Sequence, residues 1–205
     1  MKLPESVRKR QGAPASPVTG VVGMSAIPEL DRSASSLPDE DYADAFSLAT
    51  GVVASPEQWA RAMFGDIPSP AQRFIWRGLL GIRLRRGRSP HTVAGWRIAA
   101  RSEQWIRLEA RSWFLSANLV VRTSDGRVSV ATLVRYEQGV GRIVWPPLSA
   151  VHRLLIPGVL RSAVEIRARD RPRPDATPRP EPRPPSSRAA ARTPADSQDE
   201  LLTGD

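Results

Sequence analysis

The sequence lacks most of the side chains on which metal sites and covalent catalysis depend. Its 205 residues include no cysteine and two histidines, His91 and His152. The absence of cysteine excludes disulfide bonds and thiolate chemistry. Zinc or iron would need carboxylates that converge on the histidines, and the spacing of these residues does not indicate such a site. No Gly-x-Ser-x-Gly elbow and no Walker or Rossmann phosphate loop occurs. The sequence therefore predicts no metal, no cofactor and no recognisable catalytic set.

Lysine is also scarce. Lys2 and Lys9 are the only two, and arginine supplies nearly all the positive charge behind the net charge of +9. Together with abundant alanine, proline and glycine, this bias is typical of a GC-rich genome, so the arginine count by itself does not indicate nucleic-acid binding. Long apolar runs are missing too, because the most apolar stretch, near the C-terminus, contains Arg153 and Arg161. We expect no transmembrane segment and a cytoplasmic protein.

What the sequence does contain is period-two alternation between Val93 and Tyr136, the pattern of half-buried strands. Four strands are predicted, with every arginine on the face opposite the apolar side chains. A polar link at residues 102–104 and the pair Asp125-Gly126 predict tight hairpins, and hence an antiparallel meander with one covered and one wet face. The predicted wet face carries Arg97, Arg101, Arg107, Arg111, Arg122, Arg127 and Arg135.

The covered face needs a lid, and residues 145–164 predict one long apolar helix that supplies it. Trp145-Pro146-Pro147 is predicted to begin the helix, since prolines are tolerated in a first helical turn. Pro157 has no N–H to pair with the Arg153 carbonyl, so we predict a kink there, over a cavity between helix and sheet.

Upstream of the meander, the sequence predicts one strand and two short helices. Asp41–Leu48 is interpreted as the strand, and Ser55-Pro56 and Ser69-Pro70 as helix starts with serine N-caps. Residues 1–39 and the Pro/Arg-rich residues 167–205 are predicted to be disordered. One domain over residues 40–166 remains.

The order strand, helix, helix, antiparallel meander and long helix resembles the helix-grip fold of the START-like or SRPBCC superfamily. Residues 59–65, Trp113-Phe114-Leu115 and the stretch from Trp145 to Gly158 look like an uncharacterised actinobacterial family of unknown function, sometimes fused to atypical short-chain dehydrogenases. The resemblance implies an α+β fold whose last helix encloses a cavity. It implies a small hydrophobic ligand, such as a lipid or polyketide-like compound, and a dehydrogenase as a candidate partner. It implies no catalytic residues.

Eight residues are predicted to line this cavity, and plain core packing is the alternative for the apolar ones. A second hypothesis is an enzyme of the cyclase or dehydratase type, or an accessory domain of a dehydrogenase, with Asp41, Asp44, His152 and Tyr136 as the groups to test. The predicted lining residues are Trp96, Ile98, Leu108, Phe114, Thr132, Tyr136, His152 and Leu155.

A third hypothesis concerns the arginines of the predicted wet face, which would bind nucleic acid or anionic lipid. Separately, Arg83, Arg85, Arg86 and Arg88 form the densest run of charge. The two interpretations of this run are a solvated loop and a clamp for an anion or phosphate. The composition bias favours the solvated loop, and nucleic acid is not the expected partner.

Overall fold

A computed structural model describes residues 16–170 of the chain. These residues form an α+β domain in which one antiparallel sheet of seven strands carries a long C-terminal helix on one face. The strand order is β1-β2-β7-β6-β5-β4-β3, and the arrangement is consistent with the predicted helix-grip fold. In chain order the elements are β1 (Val18–Val22), a 3-10 turn (Met24–Ala26), α1 (Glu29–Ser33), β2 (Tyr42–Ala49), α2 (Pro56–Phe64), α3 (Pro70–Arg73) with a π-helical continuation (Phe74–Leu79), β3 (Thr92–Val93), β4 (Trp96–Arg101), β5 (Trp105–Arg111), β6 (Leu115–Ser124), β7 (Arg127–Tyr136) and α4 (Gly141–Arg169).

The local sequence signals produce the predicted elements. Ser55 and Ser69 each accept a hydrogen bond from the backbone of the glutamine three residues later, and each glutamine side chain bonds back, which completes two capping boxes. Asp125 and Gly126 have φ angles of 49° and 69°. Two consecutive residues with positive φ are what a type I′ hairpin requires, so the turn sets the register between β6 and β7.

The helix α4 differs from its prediction at both ends. It begins at Gly141 and ends at Arg169, and it continues through all three of its prolines, so that Trp145-Pro146-Pro147 lies inside it. The early start depends on Gly141, because a Cβ there would lie 2.9 Å from the Tyr136 side chain. The kink at Pro157 stays a prediction. Residues 171–205, most of the predicted C-terminal tail, lie outside the described part of the chain.

By length and composition, α4 also meets the criteria for a membrane span, with a mean hydropathy of 1.3 over its most apolar window. In this structure it packs on the sheet instead. Trp145, Ile156, Leu160 and Ala163 are buried in the apolar core that the helix shares with α2 and the sheet. A core helix of a folded domain passes the same test, so the expectation of no transmembrane segment is consistent with this packing.

Not all strand arginines share one face. The register of β4 against β5 shifts between Ile98 and Ala100, which marks a β-bulge. Beyond it, Arg101 lies opposite Ile106, and its guanidinium lies 3.4 Å from Glu57 of α2, on the helix side of the sheet. The predicted position of Arg101 is therefore wrong, because a bulge adds one residue and reverses the alternation.

The face predicted to be wet is partly covered as well. The chain from the 3-10 turn through α1 lies across it, and Ile27 and Ala34 are buried there. The predicted disorder of residues 1–39 thus does not hold for Val18–Ser33, whereas residues 1–15 lie outside the described part of the chain. The sequence carried the signal, since five apolar residues occupy the same face as the arginines. They are Ala43, Ala45, Val120, Ala131 and Leu133.

A buried ion pair fastens this second cover to the sheet. Arg122 Nε donates to Asp31 Oδ1 at 2.8 Å, and Arg122 Nη2 donates to the Leu30 carbonyl. The Arg122 side chain is 10% exposed and the Asp31 side chain is 4% exposed. Arg122 therefore belongs to the interior and not to a solvent-facing basic surface.

We predict that Asp31→Ala lowers the free energy of unfolding by about 3–5 kcal/mol, because Arg122 is left buried without its counter-charge. Urea denaturation measures this loss. The control is Arg127→Ala on the exposed part of the same face, where a change within about 0.5 kcal/mol is expected. The double variant Asp31→Leu, Arg122→Met should recover most of the loss. A single Asp31 variant as stable as the control would contradict the assignment.

Candidate functional site

A cavity of about 290 Å³ lies between α4 and the sheet. Its lining is apolar except for Gln72, Thr132 and His152 and the indole nitrogens of its tryptophans. Leu79, Val151 and Leu155 also reach solvent, so the mouth lies between α4 and the π-helical segment. The lining residues are Phe64, Gln72, Ile75, Trp76, Leu79, Leu80, Trp96, Leu115, Ala117, Leu119, Thr132, Trp145, Leu148, Val151, His152, Leu155, Ile156 and Val159.

Four polar side chains meet where β2 and β7 pass under α4. Asp44 lies directly opposite Thr132 in the antiparallel register, so both side chains project toward the helix. His152 Nε2 lies 3.0 Å from Thr132 Oγ1 and 3.5 Å from Asp44 Oδ2. Tyr42 donates its hydroxyl to the same Asp44 oxygen at 2.5 Å. We call Tyr42, Asp44, Thr132 and His152 the polar cluster; it joins the sheet to the helix.

The polar cluster is shielded by an indole ring. Trp145 packs edge-on against Tyr42, with ring centroids 5.3 Å apart, and its ring lies 6.2 Å from that of His152. Asp44 is fully buried. A buried carboxylate is costly unless its oxygens are hydrogen-bonded; Tyr42 donates a hydrogen bond to Oδ2, and His152 Nε2 lies 3.5 Å from the same oxygen.

Three buried polar atoms near the cavity have no hydrogen-bond partner among the described residues. They are Asp44 Oδ1 and the Nε1 atoms of Trp96 and Trp145. Both tryptophans line the cavity. Buried donors and acceptors are rarely left unpaired in proteins, so the two indole N–H groups of the cavity lining and Asp44 Oδ1 of the polar cluster have hydrogen-bonding capacity that the described residues do not use.

Burial, and then the hydrogen bond to Asp44, raises the pKa of Tyr42 well above its ordinary value. Burial and the negative charge of Asp41 also raise the pKa of Tyr136. Tyr42 therefore remains a neutral hydroxyl donor to the Asp44 carboxylate throughout the physiological pH range.

Of the eight predicted lining residues, the structure places Trp96, Thr132, His152 and Leu155 at the cavity. The other four lie elsewhere in or against the same apolar core: Ile98, Leu108, Phe114 and Tyr136.

The acid–base candidates separate into two pairs. Asp44 and His152 come together in the polar cluster, whereas Asp41 Oδ2 accepts a hydrogen bond from the Tyr136 backbone N–H at 2.7 Å. Asp41 and Tyr136 are thus engaged at the strand ends and do not line the cavity. Within residues 16–170, no three histidine, aspartate or glutamate side chains are grouped to hold a metal ion.

Sequence reasoning did not assign Tyr42 or Trp145 to the site. A signal for the polar cluster was nevertheless present in β2. Asp44 is in phase with Tyr42, Phe46 and Leu48, which means that a carboxylate shares the covered face with apolar side chains. An acid at such a position requires partners from the opposing elements.

We predict that neither tyrosine of the folded protein ionises near pH 10, where free tyrosine is about half ionised. Because the folded-state pKa values are raised, the stability they contribute is fully present below about pH 10 and is lost as the pH rises further. An alkaline titration followed by tyrosinate absorbance and circular dichroism should show ionisation together with unfolding. Tyr42→Phe should leave only the Tyr136 signal. Ionisation of both tyrosines at pH 10 in a folded protein would contradict the buried arrangement.

Comparison with protein-family models, curated proteins and solved structures found no match to this chain in any of the three. The resemblance to the START-like superfamily thus rests on the residues and the order of elements. The α+β architecture and the site geometry stand on the structure alone.

Proposed function

We propose that the domain binds a small, mostly apolar molecule in the cavity between α4 and the sheet. The observation on which this proposal rests is an apolar cavity whose lining includes Thr132 and His152 close to a buried carboxylate. Ligand pockets commonly combine apolar walls with a few placed polar groups. A packed core alone would not require a fully buried aspartate at this point.

The volume and the lining limit the ligand class. A cavity of about 290 Å³ is at the small end of the range for ligand sites, which start at roughly 300 Å³. It suits one aromatic ring system or a short acyl chain, and a two-chain lipid would not fit within it. The indoles of Trp76, Trp96 and Trp145 favour a flat ligand.

The polar cluster specifies one hydroxyl or carbonyl group on the ligand. The Thr132 hydroxyl has one donor and two acceptor sites, and contact with His152 Nε2 occupies one of them. The remaining sites are available to a ligand hydroxyl. Tyr42 and Asp44 support this arrangement from below, because they hold the imidazole in place.

Membership of the START-like superfamily, a cytoplasmic location and a dehydrogenase partner belong to this proposal. The strand order and the position of α4 on the sheet support membership of the superfamily. The sheet has an additional edge strand, β1, and five strands after the helices, where six are typical of the superfamily. The lack of cysteine agrees with a cytoplasmic location, where disulfide bonds are rare.

We predict that Leu155→Trp blocks uptake of small aromatic probes, because Leu155 lies at the mouth and is half exposed. Leu154→Trp is the matched control, since the neighbouring Leu154 is exposed but does not line the cavity. Isothermal titration calorimetry with p-cresol should show at least about a tenfold weaker affinity for the first variant and no change for the second. Equal affinities for both variants would exclude this cavity as the binding site.

The polar end is tested by the pair p-cresol and toluene, which differ by one hydroxyl. The wild-type protein should prefer p-cresol, and Thr132→Val, which keeps the shape of the side chain, should reduce that preference by about three- to tenfold. Native mass spectrometry of the protein purified from its own host should show a bound molecule of matching size. A protein that binds neither probe and carries no molecule would refute the proposal.

Catalysis at the same cavity is the second candidate. The contact between buried Asp44 and His152 favours it, because a carboxylate beside an imidazole orients the ring for acid–base work. It ranks second because the same Nε2 also contacts Thr132 and is not free to face a substrate.

If the wild-type protein converts a compound in an extract of host metabolites, we predict that Asp44→Asn and His152→Gln each abolish that conversion. Both variants should still bind p-cresol, which would show that the cavity is intact. The exposed His91→Gln serves as the control for histidine loss. Mass spectrometry of the extract before and after incubation provides the readout. Turnover that persists in both variants would remove the enzymatic hypothesis and leave the binding proposal standing.

A further inference from the structure

A second recess, of about 480 Å³, lies on the face of the sheet opposite the cavity. Residues 36–38 bound it on one side, and the segment that contains Arg83 and Arg85 also lines it. Its lining includes five arginines and two glutamates, an excess of three positive charges. The arginines are Arg83, Arg85, Arg97, Arg111 and Arg135, and we call this recess the arginine groove.

The strand register builds the floor of the arginine groove. Arg111 of β5 lies opposite Ser116 of β6, and Ser116 lies opposite Arg135 of β7. Because neighbouring strands are about 4.8 Å apart, the two arginines begin roughly 10 Å from each other on one face. Ser116 is buried; its Oγ accepts from Arg111 Nε at 3.1 Å and donates to Glu137 Oε1 at 2.6 Å. The floor is therefore fixed by hydrogen bonds.

Two more arginines of the groove, Arg83 and Arg85, belong to the densest run of charge in the sequence. The backbone N–H of Arg83 donates to the Arg111 carbonyl, and that of Arg85 donates to the Gly95 carbonyl, at 3.1 and 3.0 Å. These bonds hold the segment beside the sheet, with both side chains lining the groove. Arg88 turns away and pairs with Asp66 at 2.9 Å. Only part of the charge run thus belongs to this site.

The two glutamates of the groove, Glu109 and Glu137, neutralise only part of its positive charge. Glu109 is already engaged by Arg97, by Arg107 Nε at 3.0 Å and by Ser36 Oγ at 2.7 Å. By contrast, the guanidinium groups of Arg83, Arg85 and Arg135 have no acceptor within hydrogen-bonding distance among the described residues. Unpaired cations that line one recess create a local positive potential that favours a bound anion.

We propose that the arginine groove binds a small molecule that carries a diphosphate group, such as a nucleoside diphosphate. Guanidinium groups recognise phosphate oxygens in a bidentate geometry. Arginine side chains that begin roughly 10 Å apart are long enough to reach two linked phosphates placed between them. The volume of the groove exceeds what a diphosphate alone needs, which leaves room for the organic part of such a ligand.

A nucleic-acid duplex fits this face less well. A duplex-binding surface needs a continuous basic track over many phosphates. Here the track is interrupted, since Arg122 is buried with Asp31 and Arg101 lies on the other side of the sheet. The positive charge is concentrated in one recess instead.

Isothermal titration of the full chain with pyrophosphate and with ADP tests the proposal. Both should bind, and Arg135→Ser and Arg83→Ser should each weaken binding by about tenfold or more, the effect of losing a charge-assisted hydrogen bond. Arg127→Ser, on the same sheet face but outside the groove, and Arg86→Ser, from the same charge run, remove equal charge. These two controls should keep affinities within about twofold of the wild type.

Three outcomes would overturn the proposal. The first is the absence of binding by either ligand at low salt. The second is an equal loss in the controls, which would indicate diffuse electrostatic attraction. The third is a DNA duplex that binds more tightly than ADP and is weakened as much by Arg127→Ser as by Arg135→Ser, which would indicate an extended nucleic-acid surface. Binding of p-cresol in the cavity is expected to be unaffected by all four substitutions, so the two proposals fail independently.

Discussion

The structure depends on a sheet whose central strands are apolar on both faces and therefore need a cover on each side. Helix α4 covers one face, and the chain from the 3-10 turn through α1 covers part of the other. Buried polar contacts help to fix each cover: His152 with Asp44 on the helix face, and Asp31 with Arg122 on the other, where Arg107 also donates to the Ala34 carbonyl. Buried polar groups that need partners tolerate few alternative arrangements, so these contacts restrict the position of each cover.

The same constraint explains where binding sites can occur. A helix laid on a twisted sheet does not contact all strands equally, and the cavity lies between α4 and the sheet. The polar contact that anchors α4 also places Thr132 and His152 together in the cavity lining. Structure and specificity are thus linked at His152, which anchors the helix and orients Thr132. On the opposite face, the cover ends near residue 38, and the arginine groove begins there.

Much of this fold followed from local sequence signals. The serine-proline helix starts, the Asp125-Gly126 turn and the alternation in β5–β7 are determined within a few residues, and the structure has them where they were predicted. The errors arose where distant parts of the chain meet. The bulge in β4 moved Arg101, and the aperiodic segment around Ile27 became ordered because Ala131 and Leu133 require a cover. Neither effect is visible in a window of one strand.

The site shows the same division. Thr132 and His152 were predicted from the covered face and the final helix, but their contact with Asp44 depends on the pairing of β2 with β7. That pairing joins Asp44 to Thr132, which are 88 positions apart in the chain, and no local pattern encodes it. The arginine groove likewise combines residues of four strands, β4 to β7, with the distant residues 36–38 and the segment that contains Arg83 and Arg85.

We propose that the cavity under α4 takes an apolar ligand whose polar group lies at Thr132. The decisive experiment is a crystal structure determined after a crystal of the protein has been soaked in 4-bromophenol, because the anomalous signal of bromine locates the ring unambiguously. We expect a bromine peak among Trp76, Leu119 and Val159, with the phenol oxygen within hydrogen-bonding distance of Thr132 Oγ1. An empty cavity at saturating 4-bromophenol, or a phenol oxygen that points to the mouth beside Leu155, would contradict it.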